Sequence, residues 1–257
     1  MKLWLAMLPS VTLLRKECLR FLAVPTQTVF TPVITSALFL FIFGVTLGRR
    51  IDVGGSYTYL QFVIPGLTLM GVINNAFANT SSSLFFSRYI GNIVDVLVTP
   101  IGPFGFLTGY CVAAVIRGLV VGVVILVVAA FFSAMPWAHP GLALGMGLLT
   151  AFELSLLGVV AAIYSETFEA IAMYTNFLLL PLVYLGGMFY PVSTLPPVWS
   201  ACSRWNPLYY SIEGFRHSIL GTGETPLAVC FAVVGFGTVA LAVWAYVLVD
   251  RGYRLRQ

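Results

Sequence analysis

The stretch 104–132 reads FGFLTGYCVAAVIRGLVVGVVILVVAAFF, and Arg117 is its one charged residue. About 20 consecutive apolar residues suffice to cross the ~30 Å of bilayer hydrocarbon as a helix, and this run is longer. The composition agrees with it. The chain is 60% hydrophobic and 9% charged, whereas a soluble domain carries about 45–50% apolar and about 25% charged residues. So few charges cannot cover a surface exposed to water, and disorder requires the opposite balance. Five further apolar stretches reach or approach spanning length: 28–48, 57–80, 141–163, 170–190 and 226–249. The expectation is an all-α integral membrane protein, one domain over 1–257 with six transmembrane helices. Within 104–132, Gly105, Gly109 and Ala113 recur every four residues, followed by Gly118 and Gly122. Small residues at that spacing let helix backbones approach closely.

Several chemistries are excluded by the rarer residues. Lysine occurs only at Lys2 and Lys16, and neither ends a G-x-x-x-x-G-K-[ST] run, so the chain has no P-loop for ATP. Cys18, Cys111, Cys202 and Cys230 form no C-x-x-C pair, and His139 and His217 stand alone. No metal, cofactor or catalytic residue is therefore expected in this chain. The net charge of +4 comes mostly from the two chain ends, which marks membrane orientation rather than nucleic-acid binding.

The first residues do not read as a cleaved signal, because Pro9 interrupts the apolar run and Arg15-Lys16-Glu17 ends it. A helical wheel puts Val11, Leu14, Cys18, Phe21 and Leu22 on one side. Thr12, Lys16, Glu17 and Arg20 fall on the other, with Leu13 and Arg15 as exceptions. The expectation is a basic interfacial helix over 4–23. With both termini in the cytoplasm, the inner side holds Lys2, Arg15, Lys16, Arg20, Arg88, Arg251, Arg254 and Arg256. The outer side then holds Arg49, Arg50, Arg204 and Arg216, a balance that favours this orientation.

Three places do more than span. In the loop after the second span, Phe86, Ile90, Ile93, Val94 and Leu97 form one stripe, and Arg88, Asn92, Asp95 and Thr99 form another. The spacing predicts an amphipathic helix over 82–99, ended by Pro100, which either rests on the membrane or docks a cytoplasmic partner. Next, Arg117 and Glu153 lie near the middles of the third and fourth spans. Each alone would cost about 2.5–3.5 kcal/mol at a helix centre, so an ion pair is expected, serving either packing or transport. Asn74, Asn75 and Asn79 either line a path or hydrogen-bond between helices. Finally, 191–225 carries Pro191, Leu195, Pro196, Trp199, Trp205, Asn206 and Pro207. It is too broken for a span and too apolar for a free loop. Two short re-entrant helices fit, acting as an interfacial cap or an outer gate.

Specific runs then bring a family into view. Gly186-Gly187-Met188-Phe189-Tyr190, Leu195-Pro196-Pro197, Asn206-Pro207 and Gly214-Phe215-Arg216 resemble the C-terminal signature of ABC-2 type permeases. Asp95-Val96-Leu97-Val98-Thr99-Pro100 resembles the end of that family's coupling helix, and Phe62-Val63-Ile64-Pro65-Gly66 the start of its second span. The chain departs from the family at Asn92 and Ile93, which are uncharged here. The resemblance implies a bacterial inner-membrane permease that pairs with a second copy. Two cytoplasmic ATPase subunits, holding ATP and Mg, would dock on 82–99 and on the N-terminal helix near Arg15 and Lys16. The implied activity is ATP-driven export, here of an amphipathic or lipid-like cargo. A polysaccharide or lipooligosaccharide cargo and an ion-coupled carrier are the alternatives.

Overall fold

The computed structural model describes residues 2–24, 26–47 and 57–255. Arg49, Arg50 and Arg256 of the charge balance lie outside them. Every regular element among the described residues is helical. Helix α1 (Lys2–Leu22) comes first. A helical run over 26–47 follows, in which π turns at Thr26–Phe30 and Phe41–Leu47 flank α2 (Thr31–Leu40). Helix α3 (Tyr59–Tyr89) opens on a capping box: Thr58 Oγ1 accepts from Gln61 N, and Gln61 Oε1 accepts from Thr58 N at 2.9 Å. Then come α4 (Ile93–Val98), α5 (Pro103–Ala130) and α6 (Pro140–Tyr164). Helix α7 (Phe168–Met173) continues through a π turn at Tyr174–Leu179 into α8 (Leu180–Leu185). The chain ends in α9 (Pro197–Trp205), α10 (Pro207–Leu220) and α11 (Leu227–Asp250). Proline opens α5, α6, α9 and α10, where its missing N–H costs no helical hydrogen bond.

Among the described residues, five helices are long and apolar enough to cross a membrane: Tyr59–Tyr89, Pro103–Ala130, Pro140–Tyr164, Phe168–Leu185 and Leu227–Asp250. Thr31–Gly44 is apolar but shorter. Helix α3 lies at the centre, between α5 and α6, with α10 against its first half and α11 against α6 and α10. A Cβ on Gly158 would stand 2.8 Å from the Phe77 carbonyl, so α6 meets α3 backbone to backbone. Two apolar cores lie along the bundle. One, at the α9–α10 end, gathers Phe62, Ile64, Phe77, Met146 and Ile212. The other, at the α1–α4 end, gathers Leu13, Leu84, Phe106, Tyr110 and Val159.

The α1–α4 end departs from expectation twice. A single helix over 82–99 does not form. Helix α3 runs on to Tyr89, Gly91 takes φ +86°, and only Ile93–Val98 resumes as α4. That left-handed residue, open to glycine at little cost, breaks the two stripes. Ile93 is buried, whereas Phe86, Ile90 and Val94 are half exposed. The second correction concerns α1, which buries Leu13, Glu17 and Phe21 and exposes Val11 and Leu22. It packs along α5. Ser10 lies over Gly105 and Leu13 over Gly109, where an added Cβ would meet Leu13 at 2.7 Å. The two helices therefore run in the same direction. The first part of the small-residue stripe seats α1, and Gly118 and Gly122 seat Val72 of α3.

Candidate functional site

Side chains from α1 and α4 face one another across an open groove of about 440 Å³. Thr12 and Lys16 line it from α1, and Asp95 and Thr99 from the α4 region. Three of the residues expected to meet an ATPase subunit are thus brought together. Arg15 and Asn92 are exposed nearby, and Leu97 packs half-buried against the adjacent core. Arg88 is placed elsewhere. Its guanidinium donates to the carbonyls of Ala162, Ile163 and Ser165, the free acceptors at the end of α6. Cys18, also on α1, has its thiol pushed up by burial and then by the charge of Glu17. It remains a thiol rather than a reactive thiolate.

A second concavity, of about 310 Å³, lies between α2, α3, α5 and the π turn after α7. Thr31, Thr35 and Ser36 line it from α2, Asn74 and Asn75 from α3, and Thr175 from the π turn. Asn75 Nδ2 donates to Gly71 O at 3.0 Å, while Asn74 Oδ1 is buried without a partner. Hydroxyls and amides here share the wall with Phe39, Leu67 and Met70. The lining can accept both ends of an amphipathic molecule.

The expected Arg117–Glu153 pair does not form. Arg117 Nη1 instead donates to Asn79 Oδ1 at 3.3 Å. Arg20 Nη2 donates to the same oxygen at 3.1 Å and to the Asn79 carbonyl at 3.0 Å, while its Nε pairs with Glu17 Oε2 at 3.1 Å. Helix α1 therefore brings its own cation and anion to the α3–α5 seam. Glu153 faces α11 at Gly237, and its Oε2 has no partner among the described residues. The two residues sit on different faces: α5 turns Arg117 to α1 and α3, and α6 turns Glu153 to α11.

At the other end, Arg216 is 3% exposed. It donates to Phe62 O at 3.2 Å, Gly187 O at 2.7 Å and Glu213 Oε2 at 3.0 Å, and lies over the Phe62 ring. Glu213 Oε1 accepts from Glu224 N at 2.6 Å. One guanidinium thereby ties α10, the start of α3 and the broken backbone after α8. In addition, a family model described as ABC-2 type transporter matches residues 10–220.

The chain belongs to the ABC-2 type transporter family. It is 39% identical over 244 residues to "Inner membrane transport permease YadH" of Escherichia coli (strain K12), covering 94% of each chain. It is 26% identical over 208 residues to "Nodulation protein J" of Azorhizobium caulinodans, covering 78% of this chain and 80% of that one. A Nodulation protein J of Rhizobium meliloti (strain 1021) is 23% identical over 247 residues, covering 91% and 94%. This ABC-2 chain is a multi-pass membrane protein of a transport-permease family.

The family match runs from within α1 to the end of α10 and takes in residues 191–220 of the segment 191–225. Pro191 and Leu195 bracket a single 3₁₀ turn, Val192–Thr194. Pro196 caps α9, and Trp199 and Trp205 stand exposed along that helix. Asn206 caps α10, accepting from Leu208 N at 3.0 Å and donating to Leu182 O, with Pro207 at the first helical position. Three residues central to the geometry, Glu17, Arg20 and Arg216, were absent from the sequence-based candidates. For the first two, a signal was present. A Glu and an Arg three apart form an intrahelical pair that can be carried into a polar seam.

Proposed function

We propose that this permease is the membrane half of an ATP-driven exporter for an amphipathic or lipid-like cargo. The observation that carries the reading is the mixed cavity lined by Thr31, Thr35, Ser36, Asn74, Asn75 and Thr175. It opens on the side of α2 and the π turn after α7. Polar side chains facing hydrocarbon are costly, so a second copy covers that side and the two cavities together form the path. With the helical run over 26–47 counted, each copy crosses six times and keeps both termini in the cytoplasm. Helices α9 and α10 dip back from the outer surface beside the path's exit.

The α1–α4 groove faces the cytoplasm and receives a separate ATPase subunit. Its Lys16 and Asp95 offer one charge of each sign, and the exposed Val94 and Val98 offer apolar contact. ATP and Mg bind in that subunit. A second reading, a glycan cargo, is favoured by the exposed Trp205 of α9, which lines a concavity with Arg204 and Tyr210. Flat aromatic faces and a guanidinium suit sugar rings and hydroxyls.

The test is co-purification of the chain from its native membrane, followed by ATP hydrolysis with candidate lipids, drugs and glycans added in turn. Association with an ATPase subunit stimulated by lipids or drugs supports the leading reading. Stimulation by glycans alone transfers it to the second. A chain that transports along an ion gradient without any ATPase overturns both.

A further inference from the structure

We infer that Glu17 is a movable counter-ion held in turn by Arg20 and Arg117, and that its exchange links α1 to the cavity-lining part of α3. The inference rests on the ATP-driven reading above. In the structure Glu17 pairs with Arg20 at 3.1 Å. Arg20 and Arg117 both donate to the one Oδ1 of Asn79, at 3.1 and 3.3 Å. Two like charges thus meet on a neutral acceptor while a single carboxylate serves only one of them. The leftover atoms are complementary, since Glu17 Oε1 and Arg117 Nε are each buried without a partner among the described residues. Glu17 itself is fully buried. A junction with an unused acceptor and an unused donor has a second pairing available.

Reaching it requires a short movement of α1 along α5. Glu17 precedes Arg20 by three residues, about 4.5 Å along a helix axis. Helices α1 and α5 run in the same direction, with Ser10 over Gly105 and Leu13 over Gly109. An advance of α1 by one turn moves Glu17 to the level Arg20 now occupies, beside Arg117, and requires Leu13 to turn aside, because Ala113 carries the Cβ that Gly109 lacks. One-turn ratchets of one element past another are an established form of switching. Force on the α1–α4 groove acts along the axis of α1. On α3, Asn74, Asn75 and Ala78 line the cavity directly before Asn79, so a shift at Asn79 reaches the wall.

The test uses the permease–ATPase complex in lipid nanodiscs, with spin labels at Leu19 of α1 and Val123 of α5, both exposed. Cys18 and Cys202 are replaced by serine. Label separations are read without nucleotide and with ATP plus vanadate. The expected change is about 5 Å, one helical turn, present in the parent and in Glu17→Asp and lost in Glu17→Gln and Arg117→Met. Should Glu17→Gln fail to fold, Arg117→Met carries the same arm. No change in a parent complex that hydrolyses ATP overturns the exchange, as does a full change in Arg117→Met. A parent that binds no ATPase subunit overturns the exporter reading and this inference with it.

Discussion

Two arginines, Arg216 buried at the α9–α10 end and Arg117 half-buried midway along α5, are treated in opposite ways. Arg216 meets three acceptors on three separate segments and lies over the Phe62 ring. Among the described residues Arg117 makes one hydrogen bond, to an oxygen that Arg20 also uses, and its Nε is unpartnered. The first arrangement holds a broken backbone in a single shape. The second leaves pairing unused and so tolerates another. A buried charge stabilises a fold only when its hydrogen-bonding capacity is met, and Arg216 meets that condition where Arg117 does not.

The comparison is broken most forcefully at Arg216. Arg216→Met leaves Glu213 and the Gly187 carbonyl without their donor, and the variant is expected to lose about 3–5 kcal/mol. Thermal unfolding in detergent measures it. Arg117→Met, by contrast, is expected to stay within about 1 kcal/mol of the parent, because an under-satisfied cation is exchanged for an apolar side chain. Equal losses in the two variants would remove the distinction.

Asn79→Leu sharpens the α1–α4 side of it. Loss of the shared acceptor leaves two guanidiniums facing one carboxylate, at a cost of about 1–3 kcal/mol. Gly109→Val is expected to cost about as much through overpacking against Leu13, about 1–3 kcal/mol. Limited proteolysis reads it separately, since α1 is expected to become cleavable while α3–α11 resist. The smallest effect on stability is at the groove. Asp95→Ala is exposed and should stay within about 0.5 kcal/mol, yet reduce co-purification of the ATPase subunit.

The spans were legible because lipid selects them by length and apolarity alone, and the runs at 57–80, 104–132, 141–163 and 226–249 lie within or beside observed helices. The break at Gly91 was harder to read. A wheel drawn through 86–99 assumes one axis, and a glycine with positive φ ends that axis without interrupting the pattern of residue types. The burial of Glu17 was legible only through its i, i+3 pairing with Arg20. On a wheel it belongs to the polar side of α1, and it is buried because Asn79 and Arg117 make the opposing seam polar as well. The Arg117–Glu153 pairing failed for a related reason. Adjacent spans need not turn their charges toward each other when a third and a fourth helix compete for each face.

By itself the sequence determined that the chain lives in lipid, that its charge gathers at the ends and the loop after the second span, and that it carries no P-loop for ATP. These follow from the cost of charge in hydrocarbon and from the missing P-loop lysine, both independent of how helices pack. The tertiary structure alone decided which partner each buried charge found. That choice depends on the rotation and register of neighbouring helices, which place Arg20 and Arg117 on one oxygen of Asn79 and leave Arg216 fully engaged.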